Sequence, residues 1–163
     1  MTVRVRPASG EDHETLCRLL AEVDALHARL RPDFFRAREG GSRPQRELER
    51  ALAGRHEALF VAEVDGRTVG LVHVKVYDTP DHPLQVQRRR GHVEDIVVQR
   101  EYRRRGVGRA MMEAAAAWCE RAGAEQLLLT VWDGNASAEA FYRRMGYRTV
   151  STVLGLELTS DGG

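Results

Sequence analysis

Residues 93–118 read VEDIVVQREYRRRGVGRAMMEAAAAW. An apolar, β-branched run ending at Val98 gives way to a polar loop carrying Arg103, Arg104 and Arg105. Gly106 and Gly108 follow, one residue apart. From Val107 the period changes. Val107, Ala110, Met111, Ala114, Ala115, Trp118 and Ala122 recur with i, i+3, i+4 spacing, and Gly123 ends the pattern. Strand, glycine-bearing loop and helix are expected in that order. The first turn of such a helix leaves backbone N–H groups unpaired and carries partial positive charge. Two residues without side chains leave those groups open to a phosphate or pyrophosphate, and the arginines add charge and bidentate hydrogen bonding.

Three phosphate loops compete for this pattern. A P-loop requires Gly-x-x-x-x-Gly-Lys-Ser/Thr, and the sole lysine, Lys75, lies elsewhere. A dinucleotide fingerprint requires Gly-x-Gly-x-x-Gly/Ala, but its third position is Met111. The third pattern, Gln/Arg-x-x-Gly-x-Gly/Ala, is satisfied by Arg103, Gly106 and Gly108.

Outward from this centre, "GHVEDIVV" (91–98) is a strand and "EQLLLTVW" (125–132) a buried one, so the helix between them makes a βαβ crossover. Asp133-Gly134-Asn135 is a turn, and Asn135 caps a helix that runs to about Met145. "YRTVSTVLGLEL" (147–158) is expected as one or two closing strands. Toward the N-terminus, "ALFVAEVDGRTVGLVHVKVYD" (58–78) is a hairpin turning at Asp65-Gly66. "DTPDHPLQVQRRR" (78–90) is a loop. Val3 to Arg6 form a short strand, a helix capped by Ser9 covers about Gly10 to Leu26, and Gln45 to Ala53 form a second helix. "DFFRAREGGSRP" (33–44) is a loop with two adjacent phenylalanines. The order predicts an α/β chain of the α+β type, a mixed sheet with helices on its faces and one domain over 1–163.

The bulk numbers narrow the function classes. Arginine and lysine total 25 against 24 acidic residues, for a net charge of +1. That balance argues against nucleic acid or membrane as a partner, although a module using Arg88–Arg90 and Arg103–Arg105 is the alternative to weigh. Cys17 and Cys119 read as buried thiols, no metal-ligand spacing occurs, and no apolar run approaches the ~20 residues of a membrane span. The charged N-terminus lacks an apolar core, so a cytoplasmic location is expected.

Residues 92–147 resemble the GNAT superfamily of acyl-CoA-dependent N-acetyltransferases. An acidic residue on the strand (VEDIVV), a Tyr-Arg loop, the glycine pair, an alanine-rich helix, an apolar strand and "NASAEAFYRRMGY" succeed one another as they do in that family. The resemblance implies a mostly antiparallel sheet of six or seven strands, about four flanking helices, and a splay between the two central strands. It also implies an acetyl-CoA site without a metal. The backbone of Arg103, Arg104, Arg105, Gly106, Val107, Gly108 and Arg109 would hold the pyrophosphate, and Ile96, Val97 and Val98 would meet the pantetheine arm and thioester. Asn135 would touch the cofactor beside Tyr142, which lies on the same helical face. The family often has glycine where this chain has Arg104, so that position is expected to distort the loop.

The implied reaction moves an acetyl group to an amine by direct transfer. Tyr142 is the candidate acid: its ordinary pKa is about 10 against ~8.5 for a thiol. Read from periodicity alone it is core, beside Phe141. Glu94 is the candidate base, through a water, with Asp95 expected on the other face of the strand as the alternative. A backbone N–H near Ile96 or Val97 would polarise the carbonyl. His73 and His92 read as ordinary strand residues, and Arg88, Arg89 and Arg90 as a solvated edge. Phe34 and Phe35 either line the acceptor pocket or fill the core. The acceptor stays open among amino acids, polyamines, aminoglycosides and protein amino groups. A phosphate-bearing acceptor is open too, because "GHVEDIVV" with "YRRRGVG" is similar to the glucosamine-6-phosphate N-acetyltransferases. A fold that binds acyl-CoA without catalysis is a further alternative. The oligomeric state is left open, although the apolar final strand could pair across a homodimer.

Overall fold

The computed structural model describes residues 1–36 and 45–158. Its order is β1 (Val3–Pro7), α1 (His13–Leu30), α2 (Gln45–Ala53), β2 (Glu57–Val64), β3 (Arg67–Asp78), β4 (Arg89–Val98), α3 (Val107–Arg121), β5 (Gln126–Leu129) and α4 (Ala136–Arg144). The expected loop 33–44 lies partly outside the described residues.

The strands form one five-stranded sheet in the order β1-β2-β3-β4-β5. Every pair is antiparallel except β4–β5, which is parallel because α3 carries the chain across. The β2–β3 turn is Asp65-Gly66, with φ of 50° and 74°, the left-handed pair that a two-residue hairpin turn needs. Helices cover both faces. Phe60, Val72, Val74, Val93, Met111, Met112, Ala115 and Tyr142 share one core beneath α3 and α4. Leu16, Leu19, Leu20, Leu59, Val61, Leu71 and Val97 share the other beneath α1 and α2.

Several boundaries differ from expectation. The class is as read, but the described sheet has five strands rather than six or seven. The segment Arg148–Leu158 forms no strand: it has no partner strand within the described chain, and Val150, Val153, Leu154, Leu156 and Leu158 are exposed. The α3 stripe is centred on Val107, Met111, Ala115 and Cys119, with Ala110, Ala114 and Trp118 at its margin. Arg89 and Arg90 lie in β4, where Arg89 forms a bidentate pair with Asp78 at 2.8 and 2.9 Å, rather than on a solvated loop edge. A short 3-10 turn, Gly10–Asp12, precedes α1. The Arg6 guanidinium grips Asp12 there with two bonds of 2.8 Å and reaches Glu63 at 2.7 Å, fixing the start of α1 to the sheet edge.

Candidate active site

Two features of β4 build the site. The first is where its pairing ends. Parallel pairing with β5 runs from Arg90↔Gln126 to Val93↔Leu129 and stops. β5 finishes at Leu129 while β4 continues to Val98, so the central strands part from Glu94 onward. Gln99 N–H donates to Val69 O at 2.8 Å on the β3 side. By alternation, the Val97 backbone also turns to β3, and the backbones of Ile96 and Val98 turn toward the gap.

The second feature is a bulge. The β3–β4 register shifts between His73 and Val74, with His73↔Asp95 followed by Val74↔Val93, so Glu94 is an extra residue. Strict alternation predicts Glu94 and Asp95 on opposite faces. The bulge cancels the alternation, and both carboxylates line one cleft of about 510 Å³. Asp24 and His27 of α1, Phe35, Arg36, His92, Thr130 and Trp132 complete its wall.

Each carboxylate has a distinct setting. Glu94 accepts from His92 Nδ1 at 2.9 Å and lies 3.4 Å from Lys75 Nζ. The hydrogen bond from His92, followed by the Lys75 charge, outweighs desolvation and holds its carboxyl below the usual range. Asp95 is buried, with its Oδ2 3.8 Å from His73 Nδ1. The opposite face of that imidazole donates through Nε2 to Glu57 Oε2 at 2.8 Å. His73 therefore sits between two carboxylates across three neighbouring strands, and His92 orients Glu94. Neither is the bland strand residue the sequence suggests.

The aromatic wall joins segments far apart in the chain. Phe35 meets Trp132 edge-on at 4.8 Å and stacks on His27 at 5.1 Å. Phe35 thus lines the cleft, while Phe34 is exposed, 5.2 Å from Trp132 and beneath Arg31. Asp24, His27 and Trp132 are absent from the sequence-level candidates. One signal was present: Asp24 and His27 continue the face of α1 defined by Leu16 and Leu20, so polar groups replace the apolar stripe where the cleft begins.

At the other end of β4, Arg103 Nε donates to Val98 O at 2.8 Å and closes the loop on the strand. Arg104 takes φ of 64°, the left-handed backbone that glycine adopts freely, which is the distortion expected there. Gly106 follows with φ of 83° and caps α3. Gly108 serves closeness instead, because a Cβ there would stand 3.3 Å from Phe141 Cζ. Arg103 N–H reaches Arg100 O and Ala110 N–H reaches Gly106 O. The N–H groups between them, Arg104 to Arg109, have no backbone acceptor among the described residues. Arg105 lies over Tyr102 and Arg109 pairs with Glu113, so the arginine side chains are largely engaged within the chain. This row of open donors at a helix N-terminus, beside a parted sheet, suits a pyrophosphate with an extended arm.

Tyr142 of α4 is buried between Phe141 and Tyr147, at ring distances of 5.1 and 5.7 Å. Burial, with a smaller contribution from Tyr147, pushes its pKa up to about 12. Its hydroxyl has no hydrogen-bond partner among the described residues. Asn135 caps α4 as expected, accepting from Ala138 N–H at 3.3 Å.

The chain matches the acetyltransferase (GNAT) family over residues 23–147, and it belongs to that family. It is 35% identical over 101 residues to an N-alpha-acetyltransferase of Sulfurisphaera tokodaii, covering 59% of each chain. It is 32% identical over 117 residues to an aminoglycoside N(6')-acetyltransferase type 1 of Stenotrophomonas maltophilia, covering 68% of this chain and 72% of that one. Among solved structures, a mutant of the BH1408 protein of Bacillus halodurans is similar with a TM-score of 0.90 at 26% identity, over 96% of this chain and 99% of the other. The chain thus spans less than two thirds of the archaeal relative's length and nearly all of the structural one's.

Proposed function

We propose that this chain is an N-acetyltransferase that moves an acetyl group from acetyl-CoA to a primary amine by direct transfer, as a single domain over 1–163. The observation that carries the reading is the end of β4–β5 pairing at Val93 and Leu129, which opens the Glu94–Val98 edge between a row of free N–H groups and an acidic cleft. Acetyl-CoA supplies an activated acyl carbon and a thiolate leaving group. The N–H groups from Arg104 to Arg109 would hold the pyrophosphate. The Ile96 and Val98 backbones hold the pantetheine arm as a further strand would, and Asn135 flanks it.

The acceptor nitrogen enters from the α1 side. Glu94 stays ionised and is therefore a weak base. It holds the amine, takes its proton through a water, and offsets the positive charge that grows as the N–C bond forms. Asp95 lines the same cleft beside it. The C–S bond then breaks, and a proton returned to sulfur balances the one lost by nitrogen. A phenol with a pKa near 12 keeps its proton throughout the neutral range. Tyr142 therefore acts first as a hydrogen-bond donor to the departing sulfur.

Two finer readings accompany this one. Cys17 and Cys119 are buried thiols outside any disulfide, which suits a cytoplasmic location. The exposed apolar segment Arg148–Leu158 suits a homodimer in which a second copy covers it.

The test is thiol release from acetyl-CoA over a panel of amines, with cofactor binding followed as thermal stabilisation. Saturation at about 100 times Kd should stabilise the fold by roughly 2.7 kcal/mol, and no shift at that excess would overturn the reading. Tyr142→Phe should lower kcat by roughly 100-fold or more while moving the acetyl-CoA midpoint little. Unchanged turnover removes Tyr142 from the chemistry.

A further inference from the structure

Resting on the acetyltransferase reading, we infer that Lys75 is an internal acceptor, whose side-chain amine takes an acetyl group from acetyl-CoA held by the same chain. Lysine and arginine together number 25, and Lys75 is the one lysine. A guanidinium stays protonated in proteins, so an arginine is no nucleophile near neutral pH; a lysine becomes one by losing a proton. The one side-chain amine of the chain stands at the carboxylate that the transfer uses. Lys75 lies opposite His92 in the β3–β4 ladder, and His92 lines the cleft. Residues directly opposite each other share a face, and Lys75 keeps the side of β3 that Leu71 turns to the core beneath α1. Its Nζ is 3.4 Å from Glu94 Oε2, while His92 Nδ1 holds Oε1 at 2.9 Å.

Position and residue type both fit an acceptor. Glu94 is the group that holds the acceptor nitrogen and draws off its proton, and the open edge of β4 begins there. The ammonium at that carboxylate is Lys75's own. Its backbone is fixed between Glu57 on β2 and His92 on β4. Its side chain is 43% exposed, on a flexible four-carbon stem that can swing along the edge. Charge alone does not call for lysine, because arginine fills the comparable pairs with Glu63, Asp78 and Glu113. In the transfer, the Lys75 ammonium gives one proton through Glu94 to water, and its nitrogen bonds the acyl carbon. The C–S bond breaks, and the nitrogen's second proton goes to sulfur to leave the free thiol. The product is a neutral amide, so Glu94 loses the positive charge at Oε2 and keeps the His92 bond at Oε1.

The experiment incubates the full chain with acetyl-CoA and no added amine, cleaves it after arginine, and reads acetylation by mass spectrometry on residues 68–88, which carry Lys75. Labelling there should run roughly 100-fold faster than in the chain unfolded in urea, the low end of what a positioned proton acceptor contributes. Its half-time should not change with protein concentration. Glu94→Gln should slow the labelling while acetyl-CoA still stabilises the fold. Lys75→Arg, which keeps a cation at Glu94, should remove the burst of free thiol that accompanies labelling. An unmodified Lys75 in a chain that acetyl-CoA stabilises overturns the inference and leaves the acetyltransferase reading intact. So does labelling confined to the Met1 amine, labelling no faster than in the unfolded chain, or an unchanged rate in Glu94→Gln. A half-time that shortens as protein concentration rises makes the transfer intermolecular and overturns it as well. Absence of both stabilisation and labelling, with no thiol release from any amine, overturns the parent reading instead.

Discussion

Arg104 holds a backbone conformation at φ of 64° that suits glycine better than any branched or long side chain. An L-residue there costs roughly 1–2 kcal/mol relative to right-handed backbone. Arg104→Gly should therefore leave the fold intact and raise the stability by up to about 1 kcal/mol, the gain being reduced by the freer unfolded chain. Denaturant midpoints with unchanged slope would measure it, and a loss of stability would show that the guanidinium anchors the loop. The same variant should weaken acetyl-CoA binding a few-fold if Arg104's charge assists the pyrophosphate. Glycine positions and the loop-to-helix transition were legible in the sequence because left-handed backbone and helix starts are local properties. The pairing of Glu94 with Asp95 was not. A bulge is decided by two strands at once, and nothing in "HVEDIV" separates an alternating strand from one carrying an extra residue.

Among the elements, α1 shows how sequence and tertiary context divide the work. Its apolar face and the Ser9 cap were readable, although Ser9 caps the short turn Gly10–Asp12 and α1 itself starts at His13; Asp12 accepts from the Ser9 N–H at 2.8 Å. The partner that matters more is distant: Arg6 on β1 binds the same carboxylate and Glu63 on β2. This hydrogen bonding, led by Arg6, holds Asp12 below the ordinary carboxylate pKa despite its burial. The sign follows directly. A carboxyl whose folded pKa is depressed stabilises the fold above its unfolded pKa, and that contribution fades as pH falls through the folded value. Asp12→Asn should cost roughly 1.5–3 kcal/mol near neutrality, the range for hydrogen bonds to charged groups. The cost should shrink below about pH 4, where the unfolded chain's carboxylate is protonated. Urea titrations of both proteins at pH 7 and pH 3.5 would test this, and a pH-independent difference would assign the effect to packing. Because α1 also carries Asp24 and His27, loosening its start should raise KM for the acceptor before it affects acetyl-CoA binding.

At the scale of the whole molecule, the final segment is where local pattern and fold part company. Val150, Val153, Leu154, Leu156 and Leu158 have the composition of a strand, which is why the sequence predicted one. A strand needs a neighbour for its backbone and a surface for its apolar side chains. Residues 148–158 have neither in the described chain, and those five side chains are 63–93% exposed. Exposed apolar surface of this kind marks an interaction site in a soluble protein. β5 lies at the end of the sheet order, with β4 as its one strand partner among the described residues, so a backbone edge is open to a strand from another chain. A second copy would bring both a strand and a cover, and two-fold symmetry would satisfy both copies at once. Light scattering after size exclusion should therefore give twice the chain mass. Leu154→Asp with Leu156→Asp should shift the population to monomer, because each charge would have to be buried without a partner. A monomeric native chain at micromolar concentration would show that the segment is covered in some other way. A dimer that survives the double substitution would place the contact elsewhere on the surface.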